Sequence, residues 1–245
     1  MPNAKDITPD TSLWKCFVTG DYGAGKSVFA SSFPTPGFLF DTGTEVSTYE
    51  GKDFDFEQFP LSVAGWVKFE KKVRELKTEF ESGESKYKTV ILDNTTALAD
   101  IAMERALQLD PKRSPTQGPL WNVHYQLVRN LMEGKLRQIT NFPVNVVMIA
   151  HLKLIQDQDT GAILGTEPLL TGQLSTMVPG YFGEVYHCFP KNVEGKTQFK
   201  IRTITRGFYK ARSRFSGEAR RLPDEMPNNY QAIVDVLNKK KGGEE

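Results

Sequence analysis

The run "GDYGAGKS", from Gly20 to Ser27, gathers three glycines, a lysine and a serine hydroxyl within eight residues. Gly20, Asp21, Tyr22, Gly23, Ala24, Gly25, Lys26 and Ser27 fit G-x-x-x-x-G-K-[ST] in full, the pattern of a loop that wraps phosphate. Glycines let backbone N–H groups converge on phosphate oxygens, and the positive end of a following helix adds to the attraction. Lys26 would reach the β- and γ-phosphates and Ser27 would ligate Mg2+, so the loop is expected to hold a nucleoside triphosphate. The plain alternative is a glycine-rich strand-to-helix turn with no ligand.

A magnesium ion on phosphate usually recruits a carboxylate from the end of a neighbouring strand. Asp93, which closes "TVILD", has that form; otherwise it caps the helix that starts near Thr95. Hydrolysis further requires a group that orients water. Asn94 follows Asp93 directly, so the candidates move to "FLFDTGTE", with Glu45 first and Asp41 second. His151 ends "VVMIAH", and a polar group at such a strand terminus would sense the γ-phosphate. His124 and His187 read as structural, and no His/Cys spacing suggests zinc.

These groups need a parallel sheet to hold them. "KCFVTG", "GFLFDT", "TVILDN" and "VNVVMIAH" are apolar runs without polar alternation, as expected of strands covered by helices on both faces. Helical signals intervene: one follows the glycine loop to about Ser32 and one carries Trp66, Phe69, Val73, Leu76 and Phe80 at steps of three and four. Another runs from near Thr95 to about Leu109, and a fourth carries Leu120, Val123, Leu127 and Leu131. "EVYHCF" and "TQFKIRTI" read as strands without long intervening helices, so the sheet is expected to end in antiparallel pairs. A last helix starts near Asn229 and leads into the tail 238–245. The fold class is α/β, one domain over 1–245 with an arm at about 1–13.

Bulk composition narrows the setting. The 245 residues are 39% hydrophobic and 25% charged, with net charge +1, ordinary for a folded domain. No run approaches the ~20 apolar residues that span a bilayer, so no membrane role is expected. "MPNAKDITPD" lacks the apolar stretch of a secretory signal, and two cysteines, Cys16 and Cys188, suit buried thiols in a reducing cytoplasm. Between Lys191 and Arg221 ten cations face two glutamates, a local basic surface that the total charge hides.

Taken together, "GDYGAGKS", "FLFDTGTE", "VILDN", "VNVVMIAH" and "GFYKARSRF" resemble the RecA-like ATPase core, and within it compact phage-encoded members of the Sak type that anneal single strands. The likeness runs from about Lys15 to Phe215. It implies a RecA-like fold and ATP hydrolysis with Mg2+. It further implies a homo-oligomer, ring or filament, in which Lys210 and Arg212 reach a neighbour's γ-phosphate and act in trans. Residues two apart on a strand share a side, so Lys210, Arg212 and Arg214 would form one basic row; charge that protects an edge strand is the alternative. The resemblance also places DNA-binding loops at "DPKRSPTQGPLW" and "LKLIQDQDTGAILGTEPLLTG", with Lys112, Arg113, Trp121 and Lys153 as contacts. The implied partners are single-stranded DNA and a single-strand binding protein, in a host cytoplasm. A ring helicase or translocase would share the ATP-site residues, and a small-molecule kinase would share the loop.

Overall fold

Alternation along single strands explains the architecture. In β1 (Lys15–Thr19) Phe17 enters one apolar cluster while Cys16 and Val18 enter another, and β4 (Thr89–Asp93) divides Val90 and Leu92 from Ile91 in the same way. A strand buried on both faces must therefore be apolar at every position, which is the pattern the sequence carries. The computed structural model describes residues 13–43, 46–215 and 222–241.

The remaining strands of the main sheet are β2 (Gly37–Asp41), β3 (Phe54–Gln58), β5 (Asn145–Ala150), β8 (Glu184–Val193), β9 (Lys196–Arg202) and β10 (Glu225–Pro227); β6 (Leu152–Gln156) and β7 (Ile163–Pro168) pair separately. The eight strands lie in the order β10-β9-β8-β1-β5-β4-β2-β3. Pairing is parallel from β8 to β3 and antiparallel from β8 through β9 to β10, as expected for the end of the sheet. The α/β class is as read from the sequence.

On one face lie α2 (Val63–Ser82), α3 (Thr95–Leu109), α4 (His124–Thr140) and α5 (Leu174–Gly180), which insert Trp66, Phe69, Leu98, Val128, Met132 and Val178. On the other lie α1 (Lys26–Ser31) and α6 (Tyr230–Lys241), which contribute Phe29, Ala30 and Ile233. Each fully buried side chain of this size contributes about 1.5–3 kcal/mol of transfer free energy. Cys16 and Cys188 are buried free thiols, and burial pushes the Cys188 thiol up to about 12.

Several boundaries differ from expectation. α4 starts at His124, after a loop that the His124 ring holds: its Nδ1 accepts from Leu120 N at 2.7 Å and its Nε2 bonds Asp110 O at 2.8 Å. The segment expected as a second loop contains the β6–β7 hairpin, closed by Asp157, which accepts from the backbone of Asp159 and Thr160. α6 continues to Lys241, inside the stretch expected as tail. Among the described residues the row at Lys210 to Arg214 makes one bridge to the sheet, Arg212 to Val185, and it follows a tight turn over Arg206–Tyr209. Among the described residues no helix is long and apolar enough to cross a membrane.

Candidate functional site

β1 ends at Thr19 and the chain turns through Gly20 into α1. A Cβ on Gly20 would stand 2.5 Å from the carbonyl oxygen of Cys188 on β8, so this approach admits only glycine. Gly25 begins α1 at φ 84°, and no side chain caps the helix. The first N–H groups of a helix have no intrahelical partner. Left open by any cap, they form a cradle suited to an anion.

Lys26 is 7% exposed and turns back on its own loop, donating to the carbonyls of Gly20 at 3.0 Å and Asp21 at 2.8 Å. Burial lowers its pKa, an effect that the charges of Cys188, Asp93 and Asp21 oppose. Ser27 Oγ donates to Asp93 Oδ2 at 2.6 Å. Their strands are not neighbours: β5 lies between β1 and β4, and the helix after the loop reaches over to the carboxylate.

Asp93 is not the cap of α3. That role belongs to Asn94, whose side chain accepts from Ala97 N at 2.8 Å. Asp93 instead accepts from Ser27 and, on the same oxygen, from Tyr49 at 3.0 Å. Burial raises the Asp93 pKa, the two hydrogen bonds and Lys26 counteract it, and Asp41 adds to the rise. The donor set of a hydroxyl and a carboxylate beside an uncapped glycine loop is hard oxygen chemistry, which fits a magnesium–phosphate group.

Asp41 pairs in register with Asp93 across β2 and β4. Its oxygens accept from Gly43 N at 3.1 Å and Gln58 Nε2 at 2.8 Å. Glu45 lies outside the described residues. His151 follows β5, and its Nδ1 is buried without a partner among the described residues. Tyr22, 80% exposed, stacks on its ring at 4.6 Å. Burial, and then the charge of Lys26, lower the His151 pKa, so the ring is neutral at pH 7. Tyr22, Ser27, Asp41, Asp93 and His151 border one cleft of about 310 Å³.

The remaining candidates stand apart from this centre. Lys210, Arg212 and Arg214 are exposed and alternate with buried Ala211, Ser213 and Phe215. Arg212 Nη2 donates to the carbonyls of Pro179 and Phe182 at the end of α5. Arg214 pairs with the buried carboxylate of Glu184 at 3.2 Å. Lys210 borders a separate cleft with Thr19, Glu167 and Ser175. Arg113 donates to the carbonyls of Leu107 and Asp110, closing the C-terminal end of α3. Lys153 pairs with Glu167 across the hairpin at 3.0 Å. Lys112 is exposed, and Trp121, 73% exposed, packs on Tyr125 at 4.7 Å. In the basic stretch, Lys191, Arg202 and Arg206 converge on Glu225, which moderates that surface.

Tyr49, Asn228 and Phe199 were not singled out by sequence reasoning. Tyr49 reaches Asp93 from a single turn at Val46–Tyr49, and Asn228 Nδ2 donates to Gly25 O at 2.7 Å from beyond β10. Both contacts join distant segments, so no local pattern announces them.

No curated protein matches the chain. Among solved structures, a KaiC-like protein of the hyperthermophilic archaeon Pyrococcus horikoshii OT3 is similar at 11% identity and TM-score 0.44, covering 82% of this chain and 81% of its own. The flagellar accessory protein FlaH of Methanocaldococcus jannaschii is similar at 10% identity and TM-score 0.39, covering 77% and 76%. The family model described as AAA domain matches residues 12–215, most of the chain, and the protein belongs to that family.

Proposed function

We propose that this AAA domain binds and hydrolyses ATP at Gly20–Ser27. The observation that carries the reading is the 2.6 Å hydrogen bond between Ser27 and Asp93, made beside a glycine loop whose helix has no cap. Ser27 and Asp93 are the residues that would hold Mg2+, which when bound neutralises charge on the phosphate oxygens. Lys26 would exchange the carbonyls of Gly20 and Asp21 for phosphate oxygens. His151, which borders the same cleft as Ser27 and Asp93, would sense phosphate or the attacking water. Glu45 is the first choice for orienting that water, since the Asp41 oxygens are already engaged.

The finer reading is an oligomeric ATPase that grips single-stranded DNA and promotes annealing or pairing, with ATP completed at the subunit interface by Lys210 and Arg212. It is supported by the resemblance to RecA-like ATPases and by the exposure of Lys210, Arg212 and Arg214, although Arg212 and Arg214 also make contacts within their own chain. The exposed Trp121 packed on Tyr125 offers a stacking surface, and exposed Lys112 lies in the same loop segment, features suited to single strands. Binding of single-stranded DNA measured with and without ATP across a salt series tests it. Tighter binding with ATP is expected, and no binding at low salt in either state would refute it.

A further inference from the structure

We propose that the ring of Phe199 is the platform on which the base of the bound nucleotide stacks, an inference that rests on Gly20–Ser27 holding a triphosphate. Phe199 stands on β9, against the loop itself: a Cβ on Gly25 would lie 3.1 Å from its Cδ1 and 3.2 Å from its Cγ. Glycine at position 25 thus serves two ends, a left-handed turn and room for the ring. Phe199 is nevertheless 41% exposed, and Val28, one residue past Ser27, is 46% exposed. Phe199, Val28 and Thr48 border a cleft of about 300 Å³ that is continuous with Lys26 and Ser27.

Two exposed apolar side chains beside a phosphate cradle leave surface in water that a planar, apolar-faced group would cover. A nucleobase attached to the phosphates is that group, and stacking accepts any base because each has a π-face. The platform is held in place before binding. Asn228 N donates to Phe199 O at 3.2 Å, and the side chain of the same Asn228 donates to Gly25 O at 2.7 Å. One residue therefore ties the strand that carries the ring to the loop that carries the phosphates.

Calorimetry of the full chain with Mg2+ and either ADP or inorganic triphosphate, which has no base, tests the proposal. Phe199→Ala is expected to weaken ADP about tenfold or more while leaving inorganic triphosphate within twofold. Phe199→Trp is expected to retain ADP, and Phe199→Leu, which keeps most of the apolar volume, to fall between. Equal ADP affinity in wild type and Phe199→Ala would overturn the platform. So would an equal loss of both ligands, which would make the ring a support for the loop. If the wild type binds neither ligand, the triphosphate reading itself fails, and that outcome is distinct from a loss confined to the variant.

Discussion

Ser27 and Tyr49 donate to the same oxygen of Asp93, at 2.6 and 3.0 Å. One donor belongs to the glycine loop and the other to the turn that follows the segment carrying Glu45. The carboxylate at the end of β4 is thus the point where the phosphate loop and the β2–β3 connection meet. Its orientation is fixed by both.

Tyr49→Phe removes one of these donors and keeps the ring packed against Phe54. A hydrogen bond to a charged group contributes about 1.5–3 kcal/mol, so the variant is expected to lose stability of about that size at neutral pH. The Mg2+ concentration for half-maximal nucleotide binding should rise several-fold, because the carboxylate is held by Ser27 alone. Chemical denaturation and a Mg2+ titration with ADP measure the two effects. An unchanged Mg2+ dependence would remove Tyr49 from the site.

Arg212→Ala tests the trans role. Its guanidinium satisfies two carbonyls at the end of α5, so a stability loss of about 1 kcal/mol is expected from that alone. ATPase activity should fall far more, with nucleotide binding intact. Mixing with Lys26→Ala subunits should restore part of the turnover, since each supplies what the other lacks. A mixture as inactive as its components would leave Arg212 with only its structural contacts.

His187 gives a pH dependence. It is buried, it stacks on Tyr209 at 4.2 Å, and burial, with Arg202 and Lys26, depresses its pKa to about 4. The unfolded chain binds this proton near the ordinary histidine value of about 6.5, so between those values it holds more protons than the folded state. Stability from this residue is therefore complete above about 6.5 and is lost as pH falls to about 4, by up to about 3 kcal/mol. Thermal melts of wild type and His187→Asn across that range should converge at low pH. Parallel curves would contradict it.

The DNA reading separates two adjacent basic residues. Lys112→Ala should lower the salt slope of single-strand binding by about 1, and Trp121→Ala should weaken binding about tenfold. Arg113→Ala should instead reduce stability, because its guanidinium closes α3. Filter binding and melting curves on the three variants decide between these roles. Loss of binding without loss of stability in Arg113→Ala would reverse the assignment.

How much of this was readable in advance depended on whether the cause was local. β1, β4 and β5 are buried on both faces, so they appear as unbroken apolar runs. β3, at the sheet edge, mixes Phe54 and Phe56 with Asp55 and Glu57 and is largely exposed, and it passed as a connection. The glycine loop is legible because its chemistry needs a fixed local spacing. Tyr49, Phe199 and Asn228 meet that loop only because the sheet order brings β9 and the β2–β3 connection to the same end. Charge counting was incomplete for a similar reason: Glu225 lies beyond the basic stretch and pairs with Lys191, Arg202 and Arg206.

Calorimetry of purified protein with ADP and ATP, with and without Mg2+, beside Lys26→Ala, tests most directly whether Gly20–Ser27 grips a nucleotide. Magnesium-dependent saturable binding is expected in the wild type, with a loss of at least about tenfold on removing the Lys26 ammonium from its charged partners. Absence of magnesium-dependent binding in the wild type, or equal affinity in Lys26→Ala, would contradict it.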